Sequence, residues 1–552
     1  MKLTLPLLLL ASTALAQDAV CSVSKPMSGQ RLLRRLALDL RGNAPSATEI
    51  TAQTGKTEVD EATVDQFLAS EEFVGVMRRY HQELLWPNLD SVDIDPLQQK
   101  LIPVDVGGGT MVLYSPLRAL FVRTITQSFL PCANTPATFD SNGKLVLTPL
   151  VVNGQTVGVQ EGWVEVEPYW APGTTVKVCG LDAQAANTAP ACDAADTMRS
   201  PYMKQFCDQF SAYTAAVNVN LVDESVACDT QFGFLAAGCG CGPNLRLCMT
   251  QETAATVRQS LIDQELRIVD NVVRNDSPYT DILLTKNVEM NGPLAHFLQY
   301  QSRTSFDVFG EMDPSAPVPQ GITWSNTTWQ TVVRTGRHSG VLTTPAYLLR
   351  FQSNRGRAHR FYNAFECSDF IPNGPLPSPQ DACSQHEDLT KRCGCNACHV
   401  VLEPMAGAFG RFAEYGLTPL DEARYPKTYD SVCTNFTDID QLFRCYRFYE
   451  VQPVGEQVPF RGDLLPYVFR TPDQVADLEA GPSSVVEDGI ANGKIATCTA
   501  RRMWTYFMRR PPTADEETNV IPNLANTLTS NNWSVKKLVK AIVTDPAYRR
   551  LP

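Results

Sequence analysis

Leu33, Leu36 and Leu40 fall three and four residues apart in RLLRRLALDLRG, the spacing that lines up one face of a helix. Gly42 and Pro45 close that segment, and Ser46-Ala-Thr-Glu49 forms a capping box that opens the next. In SEEFVGVMRRYHQELLWP, Phe73, Met77, His81 and Leu84 share one stripe until Pro87 stops the helix. His81 on that stripe reads as a hydrogen-bonded residue at the edge of the core rather than a ligand. Between about 130 and 250 the period changes to two. Asn153-Gly154 stands between β-branched runs as a hairpin signal, and Val164 and Val166 alternate with Glu165 and Glu167, which leaves one face wet. Helical spacing returns in ETAATVRQSLIDQELRIVDNVV, with Ile262, Leu266, Val269 and Val273 along one side. Near the end, IATCTARRMWTYFMRR precedes a second capping box at Thr513–Glu516. The last helix, WSVKKLVKAIVTD, places Val535, Leu538, Val539 and Ile542 together.

These patterns predict a mainly α, multidomain chain carrying a cysteine-rich, β-containing insertion. The expected divisions are a signal peptide over 1–16, a helical domain over 17–130 and the insertion over 131–250. A second helical domain over 251–365, a further region over 366–489 and a C-terminal helical domain over 490–552 follow.

The first residues, MKLTLPLLLLASTALAQ, have the layout of a secretory signal peptide with a cleavage site after Ala16. The expected location is therefore periplasmic or extracellular. No later stretch approaches the ~18 uninterrupted apolar residues of a membrane helix, so no transmembrane anchor is expected. A net charge of −12 with no basic stripe argues against nucleic acid as a partner. Seventeen cysteines in an exported chain imply several disulfides, and the odd number leaves one thiol over. Eight of them, from Cys132 to Cys248, lie in the insertion. There GCGCGPNLRLC reads as disulfide chemistry rather than a metal motif, because it lacks histidine.

One segment promises more than structure. In RCGCNACHVV, Cys395, Cys398 and His399 fit the C-x-x-C-H pattern of haem c attachment. Two thiols one helical turn apart can each add to a haem vinyl group, and the next residue then lies beneath the iron as an axial ligand. Bridged cysteines are the second reading. A zinc site from Cys393, Cys395, Cys398 and His399 is the third, although ligands so close in sequence converge poorly on a tetrahedron.

The stretch CNACHVVLEPMAGAFGRFAEYG resembles the cytochrome c-type segment of the planctomycete-cytochrome-like family, exported multidomain proteins of unknown function. The matching positions are Cys395, Cys398, His399, Leu402, Glu403, Pro404, Phe412 and Gly416. The resemblance extends upstream to SGVLTTPAYLLRF and RGRAHRFY, downstream to the last helical region, and to RRLALDLRGNAPSATEI near the start. Ala406, Gly410 and Ala413 depart from it, standing where relatives often carry glycine, glutamate and aspartate. The cysteine-rich region has no counterpart there. The resemblance implies one covalent haem c in a cytochrome c-like module and supplies no activity.

Function then turns on the far side of the iron. A sixth ligand gives an electron carrier, which admits a redox partner protein; an open face permits chemistry on peroxide or oxygen. His338 and Met503 are the candidates for that ligand, with Met508 beside Met503. Met405 ranks lower because it lies only six residues past His399. Electron transfer is the leading expectation, and a haem-dependent peroxidase- or oxygenase-like enzyme is the alternative. A surface-binding protein with structural disulfides and no haem is the third. No G-x-S-x-G or H-E-x-x-H supports a hydrolase. The arginines of TGRHSGVLTTPAYLLRFQSNRGRAHRFY read either as a solvated face or as partners for buried carboxylates, such as haem propionates.

Overall fold

The computed structural model describes residues 26–550 except 96–98, 121–129, 191–224, 230–232, 234–235, 237, 304–312, 371–376 and 435–438. The expected signal peptide, Cys21, Cys192 and Cys207 lie outside the described residues. The chain forms two units.

The first unit joins the two ends of the chain, up to Val76 and from Ala500 onward. Gly29–Arg41 is a helix because its leucine stripe buries Leu33, Leu36 and Leu40, and Gly42 caps it at φ 74°, a left-handed angle that costs glycine least. Ser46 and Glu49 exchange both bonds of the expected capping box, and Thr513 and Glu516 do the same. The last helix, Val535–Thr544, buries Val535, Leu538, Val539 and Ile542 as its spacing predicts. Met27 N–H donates to the Arg549 carbonyl at 3.0 Å, tying the beginning of the described chain to its end.

The second unit runs from Met77 to Thr499. Its long helix, Gln251–Asn275, buries Leu266, Val269 and Val273 of the expected stripe, while Leu261 is buried where Ile262 was expected and Ile262 is only half-buried. His81 is fully buried, with its ring nitrogens on the Met77 carbonyl at 2.7 Å and the Tyr279 hydroxyl at 2.8 Å. Asn153 and Gly154, both at positive φ, turn Thr148–Val152 into Gln155–Gln160, the hairpin that the Asn-Gly pair predicts.

The expectation of a mainly α chain with a cytochrome c-like module is not met. Helix takes up 47% and strand 12% of the structure, with several small sheets, and residues 366–489 show no clear cytochrome fold. One sheet has four strands in the order Ile102–Asp105, Met111–Tyr114, Val176–Cys179 and Trp163–Val166. Its first two strands lie in a stretch expected to be helical, joined through Gly107, Gly108 and Gly109 at positive φ. Asn287–Met290 and Gln330–Val333 pair inside another such stretch. These strands are four residues long, too short for a period of two to stand out against neighbouring helices.

Six disulfides are present among the described cysteines. Cys132–Cys179, Cys228–Cys239 and Cys241–Cys248 staple the cysteine-rich region, as the reading of GCGCGPNLRLC anticipates. Cys367–Cys498, Cys383–Cys393 and Cys433–Cys445 frame the region around CNACH. No described helix is long and apolar enough to cross a membrane.

Candidate functional site

Cys393 bonds to Cys383, ten residues upstream, and the Cys393 N–H reinforces the bridge with a 3.0 Å bond to the Cys383 carbonyl. Gly394 then turns at φ 77°. The Arg392 carbonyl accepts from the N–H groups of Cys395 and Asn396 at 3.1 and 2.9 Å, which starts the helix Asn396–Ala408. Cys395 caps this helix and Cys398 lies one turn on. Both thiols are free and partly exposed, while the other twelve described cysteines are paired. With Cys393 consumed by a bridge, the Cys₃His zinc site cannot form. Among the described residues the one group spaced for a metal is Cys132, Glu161 and Cys179, and its two cysteines are themselves joined.

His399 N–H continues the helix by donating to the Cys395 carbonyl at 3.1 Å. Its Nδ1 lies 2.7 Å from Glu403 Oε1, one turn on. Glu403 is 6% exposed and receives Arg355 Nε at 2.6 Å and Arg470 Nη2 at 2.9 Å; Arg470 Nη1 also holds its carbonyl at 3.0 Å. Burial works to raise the Glu403 pKa, but the bonds from Arg355 and His399 and the charge of Arg470 outweigh it and hold the group ionised. An ionised carboxylate can only accept, so the shared proton is assigned to His399 Nδ1. That leaves the lone pair on Nε2, which makes no hydrogen bond among the described residues.

Glu403 and Ala406 continue the helical stripe that begins at Cys395 and His399, and with Gly410 just past the helix end they line a cavity of about 570 Å³ together with Arg355, Phe412 and Arg470. Gly410 allows this approach, since a Cβ there would lie 2.6 Å from Pro466 Cβ. Phe412 is 1% exposed. Arg357 anchors the Phe412 segment, donating to the carbonyls of Phe412 at 3.2 Å and Ala413 at 2.7 Å. On the outer side Val400 and Val401 stand 58% and 46% exposed, an apolar surface beside the free thiols.

The distal candidates are placed elsewhere. His338 is 3% exposed with both ring nitrogens engaged: Nε2 on Asp313 Oδ2 at 2.7 Å, Nδ1 on Thr343 Oγ1 at 3.3 Å. Burial and the Arg334 charge depress its pKa against the pull of Asp313. It lines a separate void of about 30 Å³ and meets Phe412 edge-on, 5.8 Å between ring centres. Met503 is fully buried in the unit formed by the chain ends, and Met508 nearly so. Met405 is also fully buried, on the same helix as His399. The cluster therefore unites Cys395, Cys398 and His399 and leaves out His338, while Met503 belongs to the core of the other unit.

Arg355 and Arg470 were not singled out by the sequence. The arginine-rich stretch before CNACH gave the first signal, and Arg355 does neutralise a buried carboxylate, that of Glu403. Arg470 carried no signal, because it meets the site only through the fold. His386, inside the Cys383–Cys393 loop, was likewise missed; its Nδ1 lies 3.2 Å from Glu456 Oε2.

Compared with known proteins, the chain matches no family model, no curated protein and no solved structure.

Proposed function

We propose that the protein carries one covalently attached haem, linked through thioether bonds from Cys395 and Cys398, with His399 Nε2 as an axial ligand. The observation that carries this reading is selective sparing: twelve described cysteines pair, and the two left free are the C-x-x-C pair beside a histidine with an open Nε2. The residues present fit the group. The thiols are one helical turn apart at a partly exposed helix start, and Val400 and Val401 offer apolar contact. Bound there, a haem supplies one-electron and oxygen chemistry.

The chain's own residues then do three things. Cys395 and Cys398 would hold the group in position through their thiols. Glu403 holds the Nδ1 proton of His399 and so fixes the ring's rotation and tautomer. Arg355 and Arg470 hold Glu403 in turn. Electron transfer with an exported redox partner is the use this arrangement supports first. The His399–Glu403 bond favours a second use, a haem-dependent catalyst acting on peroxide or oxygen. A carboxylate on Nδ1 makes the imidazole a stronger donor, and His338, one candidate for a sixth ligand, is committed to Asp313 and Thr343.

The test is a visible spectrum of protein exported by a host that attaches haem, recorded oxidised and reduced, with and without carbon monoxide. A Soret band is expected, and its absence overturns the haem reading. A band that ignores carbon monoxide supports electron transfer through a six-coordinate iron, whereas prompt carbon monoxide binding supports the catalytic use.

A further inference from the structure

The unit formed by the chain ends contains a cleft of about 810 Å³ whose lining holds six arginines against two carboxylates. Arg31, Arg34 and Arg35 fall at the i, i+3 and i+4 positions of the helix Gly29–Arg41 and so project from one face. Arg509 and Arg510 come from the segment just after Met508, and Arg550 from the end of the described chain.

The charges do not balance. Asp39 serves Arg35 at 3.6 Å and Arg509 at 3.1 Å, and it also accepts the Tyr548 hydroxyl at 2.9 Å. Glu516 receives both terminal nitrogens of Arg510 at 2.6 Å and the Thr513 N–H at 2.8 Å. Both carboxylates of the cleft are thus occupied. Arg31, Arg34 and Arg550 remain exposed and have no acidic partner among the described residues. Three guanidinium groups without an acidic partner among the described residues repel one another around this cleft, in a chain whose net charge is −12. The floor beneath them is fixed: Arg35 lies 4.0 Å over the Tyr548 ring and donates to the Tyr548 carbonyl at 2.8 Å. Among the described residues no lysine lines the cleft. A merely solvated face has no reason to exclude lysine, whereas planar forks that grip two oxygens at once call for arginine.

We propose that this cleft binds a ligand bearing several oxyanion groups, phosphate or sulfate, gripped by Arg31, Arg34 and Arg550. The cleft shares no residue with the cysteine–histidine cluster, and the proposal depends on no haem.

Isothermal titration calorimetry of the full chain, at low and at physiological salt, tests it with inorganic pyrophosphate in one arm and sucrose octasulfate in the other. Saturable one-site binding is expected for at least one probe, weakening as salt rises. The tighter arm names the source of the oxyanion. The exposed double variant R31A/R34A should weaken binding on the order of tenfold or more with an unchanged thermal midpoint. R31K/R34K, which keeps the charge but loses the fork, should fall between. Absence of saturable binding with either probe overturns the proposal. So does equal affinity in R31A/R34A, or full affinity in R31K/R34K, which would mean diffuse charge attraction without a built site.

Discussion

Glu403 and Arg357 show how differently two buried charges behave in one site. Glu403 faces His399 and is held there by two arginines, so its effect is electronic: a negative charge on Nδ1–H strengthens the imidazole as a donor. In haem-loaded protein, Glu403→Gln should raise the midpoint potential by tens of millivolts while the haem content stays the same, measured by spectroelectrochemistry. An unmoved potential would deny Glu403 that influence. Arg357 touches no acid and works by geometry. Fully buried, it donates to the carbonyls of Phe351, Leu348, Phe412 and Ala413 and to Asn354. Burial lowers its pKa to about 10, still above working pH, so it stays charged. Arg357→Ala strands these acceptors and should cost about 2–4 kcal/mol in chemical denaturation. A loss within the range of a surface substitution, under about 0.5 kcal/mol, would contradict that role. The C-x-x-C-H spacing and, away from the site, the two capping boxes were legible because they rest on residues close in sequence. Cys393's partner, the grip of Arg470 on Glu403 and the commitment of His338 to Asp313 were not, because each is set by how the chain folds back.

Among the elements, the long helix Gln251–Asn275 was readable as a helix, since 25 residues give the helical period many repeats, although Leu261 rather than Ile262 faces the core. The four-residue strands at 102–114 and 287–333 were not, and the expectation of a mainly α chain failed there. The long helix also carries a buried acid. Glu265, fully enclosed, has its pKa pushed by burial from 4.5 to about 8, against the Thr344 hydroxyl at 2.9 Å, the Arg360 charge and the Tyr347 N–H. The folded state therefore keeps a proton that the unfolded chain releases. This contribution to stability is complete below the unfolded pKa of 4.5 and is lost as pH rises through about 8. Denaturation at a series of pH values should show stability falling across that window, and Glu265→Gln should flatten the slope. A slope unaltered by the substitution would remove Glu265 as its source.

At the scale of the whole molecule, the chain ends close into one unit and the intervening residues form another, a division that hydrophobic periodicity cannot reveal because it describes elements singly. The bulk signals were clearer. Seventeen cysteines implied disulfides, and six appear among the described residues. Their pattern isolates Cys395 and Cys398 and leaves them as thiols beside His399. The direct test of the account is the intact mass of protein exported by a host with haem-attachment machinery, read after thiol alkylation under non-reducing conditions. The account predicts a mass increased by one haem, with Cys395 and Cys398 protected from alkylation, and no such increase in C395A/C398A. Haem-free protein from that host, with both thiols alkylated or joined to each other, would contradict it.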